Sequence, residues 1–372
     1  MATHIESLEI SAYRGIKNLE IDGLSDVNIF VGDNNTGKTS VLEAIQFLCA
    51  PNKFNLMQIA RQREKYRARM GIDFLDSIKY LFDITQSSSG NYELLIGGKI
   101  HEQAGSVSVR GEVETHLVDL QELEHKQGII KHSLGDETEK VETFYGKIRN
   151  DFDAYGQLEL FESNTEEFEI NKYTMMRWNP KDENTILKNR SILTVDHVLE
   201  NAFSDLISNS KIKSNAVKLL QEEFDENIAD LRIIGGSNGM RYTPVVENSD
   251  GDYIPLSLYG DGMKKSLTML NAIVNTQNGV VLIDEFETAL HTSAMKKVFS
   301  FLIESARKSN VQLFLTTHSL EALDKMLECT GDSAKKIRVI RLKKKNGKTF
   351  SRVMNGEEAL ENRKDYDMEL RL

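Results

Sequence analysis

The chain has 372 residues, of which 40% are hydrophobic and 28% charged, an ordinary globular composition with enough apolar residues for at least one large core. Its net charge of -11 gives an average field that does not attract nucleic acid, so any DNA contact requires a local basic patch. Two widely separated cysteines, Cys49 and Cys329, argue against a zinc site or a disulfide framework and favour the reducing cytoplasm, and we expect neither a signal peptide nor a membrane span.

The first part of the chain alternates short strands with helices. Residues 5–31 predict three strands, and the last of them, 27–31, is mostly apolar. A helix is predicted from about 38 to 48, followed by a charged helical stretch over 55–80. From about 80 to 150 the pattern becomes that of strands separated by glycine and serine.

Helical periodicity returns after residue 190. One predicted helical face carries Val195, Val198, Leu199, Ala202, Leu206 and Ile207, and a second carries Val217, Leu220, Phe224 and Leu231. The remaining predicted elements are a hairpin (arms 240–246 and 253–256), a helix (263–275), a strand (280–283), a helix (293–308), a strand (311–316) and a hairpin turning at Asn346-Gly347. This alternation of buried strands and helices predicts a parallel sheet.

A phosphate-binding loop follows the third predicted strand. The loop and the start of the next helix read Gly32, Asp33, Asn34, Asn35, Thr36, Gly37, Lys38, Thr39 and Ser40. This is a complete G-x-x-x-x-G-K-[ST] motif in a strand–loop–helix setting. Glycines let backbone N–H groups approach phosphate oxygens, and the helix adds the positive end of its dipole. We expect Lys38 to bind the β- and γ-phosphates and the Thr39 hydroxyl to bind Mg²⁺.

Two adjacent acids follow the buried strand 280–283. Ligands of open α/β sheets bind at the carboxyl ends of the strands, and paired acids there are costly unless they meet a cation or take part in chemistry. We therefore expect Asp284 to hold Mg²⁺ and Glu285 to activate the water that attacks the γ-phosphate. The alternative is a strand that ends in two surface acids.

Two further features precede helices or end strands. His318 follows the strand 311–316, where it can hydrogen-bond a γ-phosphate or the attacking water, although a lone histidine there is often structural. Residues 255–265 place Ser257, Gly260 and Gly262 before an amphipathic helix, and backbone N–H groups at a helix start form an anion site. The alternative for this stretch is a glycine-containing helix cap.

Taken together, these motifs resemble the SMC/RecF/ABC class of ATPases, and in particular the small AAA-type ATPases related to RecF and to the OLD (overcoming lysogenization defect) family. The likeness is carried by the opening stretch 8–17, the segment 283–291, the segment 316–319 and the ending 368–371. No Toprim-type nuclease domain is expected, since few residues follow His318. The resemblance implies an ATPase with ATP and Mg²⁺ as cofactors.

The resemblance also implies an architecture and a dimer. The fold expected is an α/β P-loop NTPase with an ABC/SMC-like head (1–54 and 231–372), a mixed sheet flanked by helices, and an inserted antiparallel β and helical lobe (55–230). The implied assembly is an ATP-stabilised homodimer that works with a separate effector protein. Further residues implied at the nucleotide are Arg14 and, acting from the other head, Ser257, Gly260 and Gly262, helped by Lys264; Gln86 is the candidate for the Q-loop glutamine.

Several functions remain open at this stage. An ATPase with a DNA-related or phage-defence role competes with a nucleotide-gated sensor that turns over slowly. The ATP-binding subunit of a transporter is a third alternative, but the interval between Lys38 and Asp284 is too long for it. Two basic stretches are candidate DNA contacts or solvated faces: Arg61, Arg63, Lys65, Arg67 and Arg69, and Lys335, Lys336, Arg338, Arg341, Lys343, Lys344, Lys345 and Lys348.

Overall fold

The structure is a computed structural model of the 372-residue chain. It describes residues 3–63, 73–83, 90–119, 138–152, 165–174, 185–187, 190–193, 204–235, 243–329 and 331–366. Gln86, the basic residues 65–69 and the ending 368–371 lie outside these ranges, as do residues 194–203, which include Val195, Val198, Leu199 and Ala202 of the first helical face predicted after residue 190.

The helices and strands of the described residues follow the predicted alternation. The helices are α1 (Lys38–Cys49), α2 (Lys53–Gln62), α3 (Phe74–Lys79), α4 (Ser204–Ser208), α5 (Ser210–Glu223), α6 (Asp261–Thr276), α7 (Thr292–Lys308), α8 (Leu320–Glu328) and α9 (Gly356–Tyr366). The strands are β1 (Ile5–Tyr13), β2 (Ile16–Asp22), β3 (Val27–Val31), β4 (Asn91–Ile100), β5 (Gln103–Asp119), β6 (Thr138–Asn150), β7 (Thr165–Asn171), β8 (Arg190–Leu193), β9 (Ile228–Ile234), β10 (Thr243–Asn248), β11 (Tyr253–Pro255), β12 (Val280–Ile283), β13 (Gln312–Thr316), β14 (Ile337–Lys345) and β15 (Lys348–Asn355).

The predicted parallel sheet is present. Its strand order is β15-β14-β3-β13-β12-β8, and all neighbours are parallel except β15, which pairs antiparallel with β14. Every residue of β3, β12 and β13 is buried, which explains why these strands are mostly apolar and show no polar–apolar alternation. The sheet is therefore mixed, as the fold class requires.

Most predicted elements of this region are confirmed, and one residue assignment is wrong. The predicted strand 280–283 and the turn Asn346-Gly347 lie where expected. Leu231 does not continue a helical face, because α5 ends at Glu223 and Leu231 pairs with Val246 in the antiparallel sheet β11-β10-β9. A turn at residues 224–227 separates the two elements, so the helical spacing of Leu231 was coincidental.

The chain forms two compact units. The first unit contains residues 1–7, 20–42 and 187–372, and the second contains residues 8–19 and 43–186. These limits differ from the predicted division at 54/55 and 230/231. Residues 204–230 belong to the first unit because the apolar residues of α5, among them Leu219 and Leu220, join the core that includes β12 and α7.

Each unit has its own core. In the first, buried residues of α6, α7 and α8 pack with those of the parallel strands, and Phe286 contacts Phe299 edge to face. In the second, Phe82, Tyr92 and Phe144 form an aromatic cluster with ring centroids 5.3–5.7 Å apart. Tyr92 and Phe144 lie on the sheet β2-β1-β4-β5-β6-β7, and Phe82 follows α3. Among the described residues, no helix is long and apolar enough to cross a membrane.

Candidate active site

Three adjacent parallel strands end at the same edge of the sheet. In the register, Phe30 of β3 pairs with Thr316 of β13, and Ile283 of β12 pairs with Leu315. The phosphate loop follows β3, the Asp284-Glu285 pair follows β12, and His318 follows β13. The sheet therefore brings together three motifs that are far apart in the sequence, at the edge where α/β folds bind ligands.

The phosphate loop curls around the ammonium of Lys38. Lys38 Nζ donates hydrogen bonds to the carbonyls of Gly32 and Asp33, at 2.7 and 2.9 Å. Gly32 has φ +149°, and a Cβ there would lie 2.3 Å from the carbonyl oxygen of Leu342, so no other residue fits. Burial lowers the pKa of Lys38, while the nearby Asp284 and Glu285 carboxylates oppose that shift. The loop is thus arranged for a compact cation among backbone dipoles.

The Thr39 hydroxyl and the Asp284 carboxylate lie next to each other. Thr39 Oγ1 is 2.9 Å from Asp284 Oδ2. Octahedral Mg²⁺ has oxygen ligands at about 2.0–2.1 Å, which places adjacent ligand oxygens about 2.9 Å apart. Among the described residues there is no cluster of three or more His, Cys, Asp or Glu side chains that could hold a metal. The separation of the two oxygens therefore fits two adjacent ligands of an Mg²⁺ ion.

Glu285 and His318 face each other beside Asp284. His318 Nδ1 is 3.3 Å from Glu285 Oε1, and both side chains are partly exposed, at 49% and 33%. Glu285 has φ +46°, a left-handed conformation that costs free energy in a non-glycine residue. Its backbone N–H donates to Thr316 Oγ1 at 2.9 Å, and Thr316 Oγ1 donates in turn to Asp284 Oδ1. The buried Thr316 hydroxyl thus holds both acids.

A third acid, Glu287, holds the segment that carries His318. Glu287 is 8% exposed. Its Oε1 accepts a 2.6 Å hydrogen bond from Thr317 Oγ1 and a longer one, 3.4 Å, from the backbone N–H of His318. No role was predicted for Glu287, Thr316 or Thr317 from the sequence. The available signal was their position next to Glu285 and His318 at two strand ends.

Ser257, Gly260 and Gly262, which the resemblance implies act from the other head, surround the start of α6. Ser257 lies in a short 3₁₀ turn and is exposed, and Gly260 is the exposed residue that precedes the helix. Within the described parts of the chain, no side-chain cap is present at the first backbone N–H groups of α6. Gly262 lies in the first turn, where a Cβ would come within 2.8 Å of the carbonyl oxygen of Ala289. The start of α6 therefore packs closely against the segment that follows the paired acids.

Two other residues predicted at the nucleotide have protein partners. Lys264 pairs with Asp261 at 2.6 Å. Arg14 belongs to the second compact unit, where its guanidinium binds Glu43 through Nε at 2.7 Å and Nη2 at 3.3 Å. Arg63 binds the same carboxylate. The described structure thus assigns Arg14 to an ion-pair cluster, and its contact with nucleotide stays a prediction.

Comparison with known proteins gives one family match and several relatives. A family model described as an AAA ATPase domain matches residues 4–322. A Helicobacter pylori protein named ATP/GTP phosphatase is 23% identical over 373 residues, covering 95% of this chain and 96% of that protein. The DNA replication and repair protein RecF of Acinetobacter baumannii is 32% identical over 95 residues, 26% of each chain. A solved SMC head bound to the C-winged helix domain of ScpA covers 96% of this chain and all of that chain, with 14% identity and a TM-score of 0.47.

Proposed function

The chain belongs to the AAA ATPase domain family and is an ATPase, and from this premise we propose that it hydrolyses ATP with Mg²⁺ as a pair of heads. The observation that carries the proposal is the meeting of Lys38, the Thr39–Asp284 oxygen pair and the Glu285–His318 pair at one sheet edge. A phosphate-binding cation, a Mg²⁺ ligand pair and a base are the parts that phosphoryl transfer to water requires.

The proposed roles follow from the geometry. Lys38 and the N–H groups of the loop bind the β- and γ-phosphates of ATP. Thr39 and Asp284 would hold Mg²⁺, which when bound neutralises charge on these phosphates. Glu285 accepts a hydrogen bond from the attacking water and takes its proton as the water oxygen bonds to the γ-phosphorus. The bond from that phosphorus to the β–γ bridging oxygen breaks, and ADP leaves with its electron pair. His318, held at 3.3 Å from Glu285, orients the same water or the γ-phosphate.

We propose that the start of α6 acts on the nucleotide of a second copy. Ser257 and Gly260 are exposed, and the first N–H groups of α6 have no side-chain cap. Such N–H groups bind anions, and the chain already contains one complete phosphate loop. A γ-phosphate held by the partner copy is therefore the anion proposed for Ser257, Gly260 and Gly262, with ATP bridging the homodimer.

We further propose a DNA-related or phage-defence role that involves a separate effector protein. One face of the β14–β15 hairpin supports a nucleic-acid contact. Lys343 pairs across the strands with Phe350, and Lys345 pairs with Lys348. All four are exposed, Phe350 at 54%, and among the described residues these lysines form no ion pair. Cations next to an exposed aromatic ring match the phosphates and bases of a nucleic acid.

Several other residues of the two basic stretches have protein partners. Arg63 binds Glu43, and Arg61 stacks on the Phe74 ring. Lys336 pairs with Asp26. These contacts make the hairpin face the better candidate for a DNA surface.

The test of the function is steady-state hydrolysis of ATP by the purified protein, with and without linear duplex DNA at low salt. GTP is measured in parallel, because the Helicobacter pylori relative is named for both nucleotides. Hydrolysis that requires Mg²⁺ and is lost in Glu285→Gln supports the proposed mechanism. A Glu285→Gln protein that hydrolyses ATP at the parent rate would show that another group is the base.

The hairpin is tested with the triple variant Lys343→Gln, Lys345→Gln and Lys348→Gln. The matched control changes Lys218, Lys297 and Lys308, which are exposed on α5 and α7, to Gln and alters the net charge equally. The hairpin variant should bind DNA more weakly with a shallower salt dependence, by about 0.9 in slope for each phosphate that is no longer neutralised. Equal DNA affinity of the hairpin variant and the control would exclude this surface.

A further inference from the structure

Lys265, in the second turn of α6, is buried without a hydrogen-bond partner. The side chain is 7% exposed, and its ammonium contacts no acceptor among the described residues. A buried charge without a partner is costly, and most such groups in proteins are neutralised or paired. Desolvation lowers the pKa of Lys265, and the Glu287, Asp284 and Glu285 carboxylates oppose that shift. The ammonium therefore lies within the field of the active-site acids.

Glu287 has a matching unpaired atom. Its Oε1 binds Thr317 and the N–H of His318, but its Oε2 is buried and contacts no donor among the described residues. Of the acids that act on Lys265, Glu287 exerts the largest attraction. A buried cation thus lies within the electrostatic influence of a buried carboxylate, and within the described parts of the chain neither the Lys265 ammonium nor Glu287 Oε2 has a hydrogen-bond partner.

The packing of α6 explains how Lys265 reaches this place. Gly262 approaches the carbonyl oxygen of Ala289 so closely that a Cβ would lie 2.8 Å from it. Residues three apart on a helix share one face, so Lys265 lies on the same face as Gly262. That face of α6 packs against the segment 285–290, which contains Glu287.

We propose that Lys265 is a positioning residue for the hydrolytic site, acting through Glu287 on Thr317 and His318. The ammonium attracts the Oε2 oxygen of Glu287, which leaves Oε1 facing Thr317 and the His318 N–H. His318 is thereby held beside Glu285, where the attacking water is proposed to bind. This inference rests on the proposed roles of Glu285 and His318.

The attraction between Lys265 and Glu287 would also couple the position of α6 to the hydrolytic site. The start of α6 carries Gly260 and Gly262, which are proposed to contact the nucleotide of the partner copy. A displacement of α6 along its axis would carry Lys265 with it and change its distance to Glu287. Engagement of the second head would then reach Glu285 and His318 through the attraction between Lys265 and Glu287, without movement of the phosphate loop.

The experiment compares Lys265→Met, Lys265→Arg, Glu287→Gln and the double variant Lys265→Met/Glu287→Gln in full-length protein. Lys296→Met is the matched control, since Lys296 is exposed on α7 and forms only a long ion pair, 3.8 Å, with Glu328. Steady-state ATP hydrolysis, nucleotide affinity and the thermal midpoint are measured for each variant.

We expect kcat of Lys265→Met to fall ~10- to 100-fold, the usual loss when a residue that orients a reacting group is removed. Nucleotide affinity should stay within about twofold of the parent, and the thermal midpoint should not fall, because a methionine removes an unpaired buried charge. Lys265→Arg should restore most of kcat. The double variant should be no slower than the slower single variant, since both act on one contact.

Two outcomes would overturn the proposal. One is a kcat for Lys265→Met equal to that of Lys296→Met. The other is a fall in kcat that tracks a fall in thermal midpoint and is not restored by arginine, which would indicate a packing role. Glu285→Gln is measured in the same series: its full activity would refute the proposed base, whereas failure of the Lys265 inference leaves Glu285→Gln inactive.

Discussion

Replacement of Thr316 by valine tests how the paired acids are held. The change preserves the shape of the side chain but removes its hydroxyl. Thr316 is fully buried, and Oγ1 donates to Asp284 Oδ1 while it accepts from the Glu285 N–H at 2.9 Å. Neither hydrogen bond can form in the variant. The Asp284 carboxylate would keep Thr39 on its other oxygen.

The expected destabilisation follows from these two hydrogen bonds. A hydrogen bond to a charged group contributes about 1.5–3 kcal/mol and a neutral one about 0.5–1.5 kcal/mol. Removal of both should lower the free energy of unfolding by about 3 kcal/mol. The Glu285 backbone, with φ +46°, would also be without the hydrogen bond that holds it in a strained conformation. Because Asp284 and Glu285 are both displaced, kcat should fall ~10- to 100-fold.

The assay is urea unfolding followed in parallel with ATP hydrolysis. Thr316→Ser is the control, because it keeps the hydroxyl and removes one methyl group, about 0.8 kcal/mol. Thr316→Val should shift the urea midpoint well below that of Thr316→Ser at an unchanged slope. Equal midpoints and equal kcat values for the two variants would refute the assignment of Thr316 as the residue that holds both acids.

Three further substitutions test the site. Lys38→Ala removes the loop cation and should weaken nucleotide binding by about 100-fold, since charge-assisted contacts contribute about 1.5–3 kcal/mol; calorimetric titration with ATP checks this, and an affinity within about twofold of the parent would contradict it. Glu285→Gln should keep ATP binding, lower kcat by ~10²- to 10⁴-fold and accumulate an ATP-bound dimer measurable by light scattering; a monomer at saturating ATP would count against the paired heads. Gly262→Ala should lower the thermal midpoint because the new Cβ meets the Ala289 carbonyl, whereas Gly260→Ala, with nothing within 4 Å, should leave it unchanged; equal midpoints would show that α6 is not packed as described.

The parallel strands and their motifs were predictable because each is a local pattern. The apolar runs 27–31, 280–283 and 311–316 are buried throughout, and polar residues follow each of them. Parallel pairing then places the strand ends together by geometry alone. The family comparison confirmed an ATPase of this type, and the Thr39–Asp284 contact lies where the two motifs predicted shared metal ligands.

The features that could not be predicted depend on packing between elements that are distant in the sequence. Lys265 carries no local signal, because its burial follows from how α6 packs against the segment 285–290. Arg14 was implied at the nucleotide only by the family resemblance, and its ion pair with Glu43 of α1 had no signal in the sequence. Leu231 had helical spacing yet lies in a strand, since a turn intervenes. Pairwise contacts of this kind require the fold before they can be assigned.

The carbonyl of Leu342 that excludes a side chain at Gly32 belongs to β14, and the next three residues of that strand are the lysines 343–345. The residue that contacts the phosphate loop and the lysines of the hairpin are thus consecutive in one strand. The binding of ATP at the phosphate loop and of a polyanion at the hairpin would therefore be linked in one thermodynamic cycle. If a polyanion bound to the hairpin changes the affinity for ATP by some factor, bound ATP must change the affinity for the polyanion by the same factor.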